Sequence, residues 1–451
     1  MTIELRDQLS ELCAVIDDQQ GPITTDFIEA RDDEVVIIDR PTPRTLPVHR
    51  RWVVAVTAAV AVLVLVGGVA LLFNLTGPET PVATSAQTWT RVPGNEAAFD
   101  EGWMSSVTAG GPGLVAVGSA GDASAVWTSV DGITWSRVPH DPAVFGAEDI
   151  EPVLWSVTAG GPGLVAVGSA ENHVAAVWTS VDGITWSRVP HDDAVFPPGW
   201  ITSVTTGGPG LVAVGGLDPG AAVWTSVDGL TWSRVAHDEA IFGSGVMNSV
   251  TAGGPGLVAV GEDNDDAAVW TSVDGLTWSR VAHDEAVFEG VGNPEIWGGL
   301  SFLSMASVTS GGSGLVAVGG DIFGSVVWTS VDGVTWSRVP HDEVVFGSGV
   351  MSSVTAGGPG LVAVGRSDNE FNVDLSAEVL QAKCDRSFTG AFSCSAAVVW
   401  TSSDGITWSR VLGNEADFFG GGMTSVTAGP SGLVAVGADE AGATVWVTEE
   451  G

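Results

Sequence analysis

An eleven-residue phrase, TSVDGITWSRV or a close variant, recurs six times in this 451-residue chain, and that repetition leaves few folds open. Its first Trp falls at 127, 178, 224, 270, 328 and 400, and its second at 135, 186, 232, 278, 336 and 408. Trp89, in TWTRV, is a second-type Trp with no partner before it, and Trp446, in VWVT, is a first-type Trp with none after it. The two halves complete a seventh repeat. Each repeat offers four short strands, in the first copy Ser106–Ala109, Leu114–Val117, Ala125–Ser129 and Thr134–Val138. GGPG joins the first two and an Asp-Gly turn joins the last two. A period of about 46 residues with four strands each predicts an all-β, seven-bladed propeller rather than a solenoid. The strand around Trp89 should pair with the strand around Trp446, closing the ring and removing the open edge of a linear array.

Ahead of the repeats, Trp52–Phe73 reads WVVAVTAAVAVLVLVGGVALLF, without a charge. At 1.5 Å per residue it spans roughly 33 Å, enough to cross a bilayer. Arg40, Arg44, Arg50 and Arg51 precede it and the next base is Arg91, so the positive-inside rule puts residues 1–51 in the cytoplasm and the repeats outside. A cleaved signal peptide is the weaker alternative, given the long leader and long apolar run. The expected organisation is a cytoplasmic tail (1–51), a transmembrane helix (52–73), a linker (74–87) and the propeller (88–447). Within the tail, Leu5, Leu9, Leu12 and Ile16 suggest a short amphipathic helix, and Pro41, Pro43 and Pro47 an extended link to the membrane. The tail could dock a partner and signal, or be a solvated segment. Cys13 would then lie in a reducing compartment, while Cys384 and Cys394, which flank a nine-residue loop, would lie where a disulfide can form.

The repeated phrase resembles the Asp-box (BNR) repeat, Ser-X-Asp-X-Gly-X-Thr-Trp, shortened here by one residue: Ser129, Asp131, Gly132, Thr134 and Trp135. The resemblance covers residues 88–447 and is to the sialidase-like superfamily fold in a membrane-anchored bacterial form. It implies a box at the turn between a blade's third and fourth strands. There Asp131, Asp182, Asp228, Asp274, Asp332 and Asp404 would accept turn amides, and the Trp would fill the space between blades.

The family includes sialidases, which use a Tyr nucleophile, three convergent arginines and an acidic partner. This chain has no tyrosine, and its repeated arginines (Arg91, Arg137, Arg188, Arg234, Arg280, Arg338, Arg410) sit one per blade on the outermost strand. No enzyme activity is therefore expected, although abundant carboxylates leave another exported carbohydrate-active enzyme as the runner-up. A net charge of −38 argues against nucleic acid as a partner. No cofactor is expected. Glu262, Asp263, Asp265 and Asp266 form the one segment that could offer calcium several oxygens, and a solvated loop is the simpler reading. His140, His191, His237, His283 and His341 each precede an Asp in a connector, too far apart to share a metal.

Spacing identifies where blades differ. The connector after Trp135 is longer by four residues and that after Trp278 by twelve, the latter ending near Asn293–Met305. The loop between second and third strands of blade six is longer by 26, roughly Arg366–Ser395. These connectors and loops leave a four-stranded blade on one face; the glycine and Asp-Gly turns take the other. Four Trp lie outside the repeat and the apolar 52–73 span: Trp103, Trp155, Trp200 and Trp297. The first three lie one to three residues before the innermost strand and should alternate with an inward-facing apolar residue there, close to the channel mouth. They are the candidate contacts for an extracellular glycan or protein, against the plainer reading of packing beneath the connectors.

Overall fold

A computed structural model describes residues 88–448 apart from 95, 100–101, 122, 147–152, 219, 291–302, 359, 369–384, 387–391, 394 and 412–417. The proposed tail, transmembrane helix and linker lie outside these residues. Among the described residues, no helix is long and apolar enough to cross a membrane. The chain divides into Met1–Val82 and a unit from Ala83 to Gly451, which holds the repeats.

Seven four-stranded antiparallel sheets make up that unit. In blade one the strands, lettered a to d from the innermost outward, are Gly102–Gly110, Gly113–Ala120, Ala123–Ser129 and Trp135–Arg137. Blades two to six follow with a-strands starting at Val153, Gly199, Val246, Ser304 and Gly349. Blade seven takes a, b and c from Gly421–Gly429, Gly432–Asp439 and Gly442–Thr448. Its d-strand is Trp89–Arg91, which pairs Trp89 with Thr448 and Arg91 with Trp446. Val92 donates its N–H to the Val445 carbonyl, extending the seam. The expected closure is thus present, and a-strands of neighbouring blades touch all the way round.

The core lies between blades. One cluster joins Val115, Val117 and Val126 of blade one to Leu154, Leu164 and Trp178 of blade two. A b-strand such as LVAV is buried on both faces, which is why it reads as an unbroken apolar run. First-type Trp residues are fully buried. Their indole N–H reaches the connector ahead of them: Trp178 donates to Val144 O, Trp224 to Val195 O and Trp270 to Ile241 O. Those carbonyls are held by one helical turn per connector, as in Pro142–Phe145. Asp141 caps that turn through the Ala143 N–H, and the turn buries Phe145. His-Asp is therefore a structural step. The His ring lies on that Phe in four connectors, at 5.7–6.3 Å between centroids.

The a-strands begin earlier than the sequence suggested and carry a bulge. Met104 pairs with Gly118 and Ser106 with Val117, leaving Ser105 extra, and blades two to seven repeat the shift. The bulge breaks the period of two, so the pattern alone started the strand after it. It also explains the last glycine of each LVAVG: a Cβ at Gly118 would strike the Trp103 carbonyl oxygen.

Candidate functional site

Two systems of hydrogen bonds hold the a-strands around the channel. A serine just past the bulge accepts the N–H of a Val in the next blade: Ser106 from Val157, Ser156 from Val204 and Ser203 from Val250. Ser425 of blade seven accepts from Val107 of blade one. At the bulge itself, Thr202 donates to Met247 O at 2.6 Å, Asn248 to Met305 O at 3.1 Å and Thr424 to Met104 O at 2.5 Å. These polar side chains sew neighbouring blades together near the mouth. Neither system was anticipated, although the recurrent SVT after the apolar position was its sequence signature.

Trp155 occupies the bulge position, where Thr202, Asn248 and Thr424 bridge in three other blades and Ser105, Ala306 and Ser352 stand in the rest. Its ring meets Trp103 of blade one edge-on, at 5.4 Å and 90°. Trp200, the second residue of blade three's a-strand, has 40% of its surface exposed and its ring beside Gly216. The apolar neighbours of the three Trp (Met104 after Trp103, Leu154 before Trp155, Ile201 after Trp200) are fully buried, so the alternation holds. The structure therefore brings Trp103 and Trp155 into contact and leaves Trp200 separately exposed; all three lie within strands, a correction to their placement before them. Val350 of blade six is exposed at Trp200's equivalent position, and Arg366 is exposed nearby, its side chain beside Gly422. Trp297 and most of the Asn293–Met305 and Arg366–Ser395 insertions lie outside the described residues, as do Cys384 and Cys394.

On the opposite face, each Asp-Gly turn is a closed hydrogen-bonded unit. Asp131 Oδ1 accepts the N–H groups of Ile133 (2.9 Å) and Thr134 (2.7 Å), and Oδ2 accepts the Thr134 hydroxyl (3.0 Å). Ser129 Oγ accepts the Gly132 N–H, and Trp135 Nε1 donates to Gly132 O at 2.8 Å. Gly132 sits at φ 82°, where a side chain would be strained. Asp182, Asp228, Asp274, Asp332 and Asp404 accept the same pair of amides. Backbone donation, the Thr N–H foremost, lowers all six pKa values, those of Asp131, Asp182 and Asp332 to about 2. Thr134 is used in closing the turn, which is why strand d starts at Trp135.

The Glu262–Asp266 segment is a tight hairpin with Asn264 and Asp265 at positive φ. Its acids are engaged separately. Asp263 faces Arg280 at 3.5 Å, and Asp266 accepts the Gly290 N–H. Among the described residues no three His, Cys, Asp or Glu side chains gather as a metal site would need. Arg188 pairs with Glu171 and Arg338 with Asp321 in the same way, and Arg91 with Asp439, so these outer-strand arginines are tied within their own blades.

Fold and site define the class: a seven-bladed propeller of four-stranded blades. Residues 82–241 match the family model described as the DUF6242 beta propeller domain. No curated protein matches the chain significantly.

Proposed function

We propose that this propeller is a cell-surface binding platform that grips a glycan or protein ligand at the channel mouth on its connector face. One observation carries the reading: an indole, Trp155, stands at a bulge position that three other blades give to a blade-to-blade hydrogen bonder and blade five to Ala306, against Trp103 and with exposed Trp200 in the next blade. Packing of the ring does not call for that bulk, and indole faces stack on sugars or anchor protein contacts. The variable insertions leave the blades on this same face, where selectivity is grafted onto a repeated scaffold. Anchorage by Trp52–Phe73, with the propeller outside the cell, belongs to the proposal. It predicts that protease added to intact cells degrades the repeats and spares the tail.

The test is a glycan array and a pull-down of surface proteins with the full chain, each repeated with Trp103, Trp155 and Trp200 changed to Ala. Selective capture that the triple variant loses, at unchanged melting, supports the platform. Turnover of chromogenic glycosides by the purified chain would instead support the exported enzyme.

A further inference from the structure

The other face carries a feature that the mouth does not explain. In each Asp-Gly turn the residue before the Asp and the residue after the Gly point outward. Val130, Val181, Val227, Val273 and Val331 are 69–76% exposed, and Ile133, Ile184, Leu230, Leu276, Val334 and Ile406 are 53–56% exposed. These eleven account for most of the large exposed apolar side chains among the described residues. The position after the glycine varies among Ile, Leu and Val yet stays aliphatic in all six turns, although nothing at so exposed a site bars a polar residue. Eleven exposed aliphatic side chains brought to one face, two in each of five turns and one in the sixth, offer a partner repeated apolar contacts.

The tips are rigid. Each is closed by its own hydrogen bonds and rests on the previous blade's glycine turn, with Gly183 against Pro112 and Val115 and Gly229 against Pro162 and Val165. Such preorganisation lowers the entropy cost of docking. Charge selects among occupants. Every tip adds a carboxylate, none contains a base, and the chain as a whole carries −38. A second copy would set like charge against like, whereas a basic segment would be drawn to this face.

We propose that the turn-bearing face docks a basic partner segment whose aliphatic side chains seat on the Val and Ile/Leu tips, its lysines or arginines lying over the adjacent Asp carboxylates. The carboxylates keep open capacity for this: at Asp131, Oδ2 takes only the Thr134 hydroxyl from the protein and remains in reach of solvent. The surface is independent of the Trp-lined mouth.

The probe is a labelled amphipathic Leu/Lys peptide, titrated into the full chain in neutral detergent and followed by anisotropy. A Ser/Lys peptide of equal charge and a Leu/Glu peptide of equal apolarity are controls. One variant alters two turns (Val181→Ser, Ile184→Thr, Val227→Ser, Leu230→Thr) and another alters every aliphatic tip residue of all six, each to Ser or Thr. The expected result is that Leu/Lys binds best and weakens about tenfold or more in the six-turn variant, with a partial loss in the two-turn variant. Ser/Lys should not distinguish the variants, and Leu/Glu should not bind. If the six-turn variant melts early, the two-turn variant carries the comparison. Equal Leu/Lys affinity for wild type and variants overturns the proposal. So does tip-dependent self-association in sedimentation velocity, which would make a second copy the occupant.

Discussion

Trp89 and Trp135 are the same residue of the repeat, yet replacing each by Phe should cost different amounts. Both are buried on strand d. Trp135 Nε1 donates to Gly132 O at 2.8 Å, a bond that recurs at Trp186, Trp232, Trp278, Trp336 and Trp408. Trp89 enters blade seven without a preceding Asp-Gly turn, and its buried Nε1 has no partner among the described residues. Trp→Phe removes similar ring volume at either site. At Trp135 it also removes a hydrogen bond and strands a buried carbonyl, adding about 1–3 kcal/mol. At Trp89 it removes a buried donor that lacks an acceptor, which offsets part of the lost packing. Trp135→Phe should therefore destabilise by about 1–3 kcal/mol more than Trp89→Phe, read as the difference between denaturant midpoints at common slope. Equal costs, or a larger cost at Trp89, would refute this account of how the turns lock strand d.

Deleting Thr84–Pro93 should lower the melting temperature of the whole propeller, since blade seven loses strand d and the ring its closure; unchanged melting in calorimetry contradicts that. Because backbone donation depresses the turn aspartates from 3.8 to as low as about 2, their contribution is complete above the unfolded value and is lost as pH falls from about 4 towards 2. Acid unfolding followed by tryptophan fluorescence should shift to higher pH when Asp182 and Asp332 become Asn. The short ladder that pairs Asp385 with Ser393 and Arg386 with Phe392 is a register that a Cys384–Cys394 disulfide would extend by one step. Intact-mass analysis should show that bridge, worth roughly 2.5–3 kcal/mol to the insertion alone; two free thiols in exported protein would exclude it.

Much of the fold was legible because the repeat states its own period. Two half-repeats gave the blade count and the seam, and Asp-Gly gave the turn at which its carboxylate does accept amides. What the sequence hid were features made by two blades at once. The a-strand bulge breaks the alternation on which strand reading depends, so the strands seemed to start at Ser106 rather than Gly102. The Ser-to-Val bonds join residues 47 or more positions apart, 318 at the seam, and no local pattern specifies such a partner. The His-Asp steps were legible as too far apart to share a metal, but not as the caps of helical turns that carry the acceptor for the next blade's Trp. Of the candidate site, the exposure of Trp200 and the alternation with Met104, Leu154 and Ile201 followed from periodicity. The edge-on meeting of Trp103 with Trp155 did not, because Trp103 precedes blade one's bulge while Trp155 stands at blade two's bulge position, where the alternation fails.

The most direct test of the binding account uses one substitution at a residue outside the repeated core. Trp200→Ala removes a 40% exposed ring, so folding should hardly change. Once a ligand has been captured, calorimetric titration of wild type and variant should show affinity falling about tenfold, with the same melting temperature. An unchanged Kd at unchanged melting would contradict the placement of the site at the channel mouth.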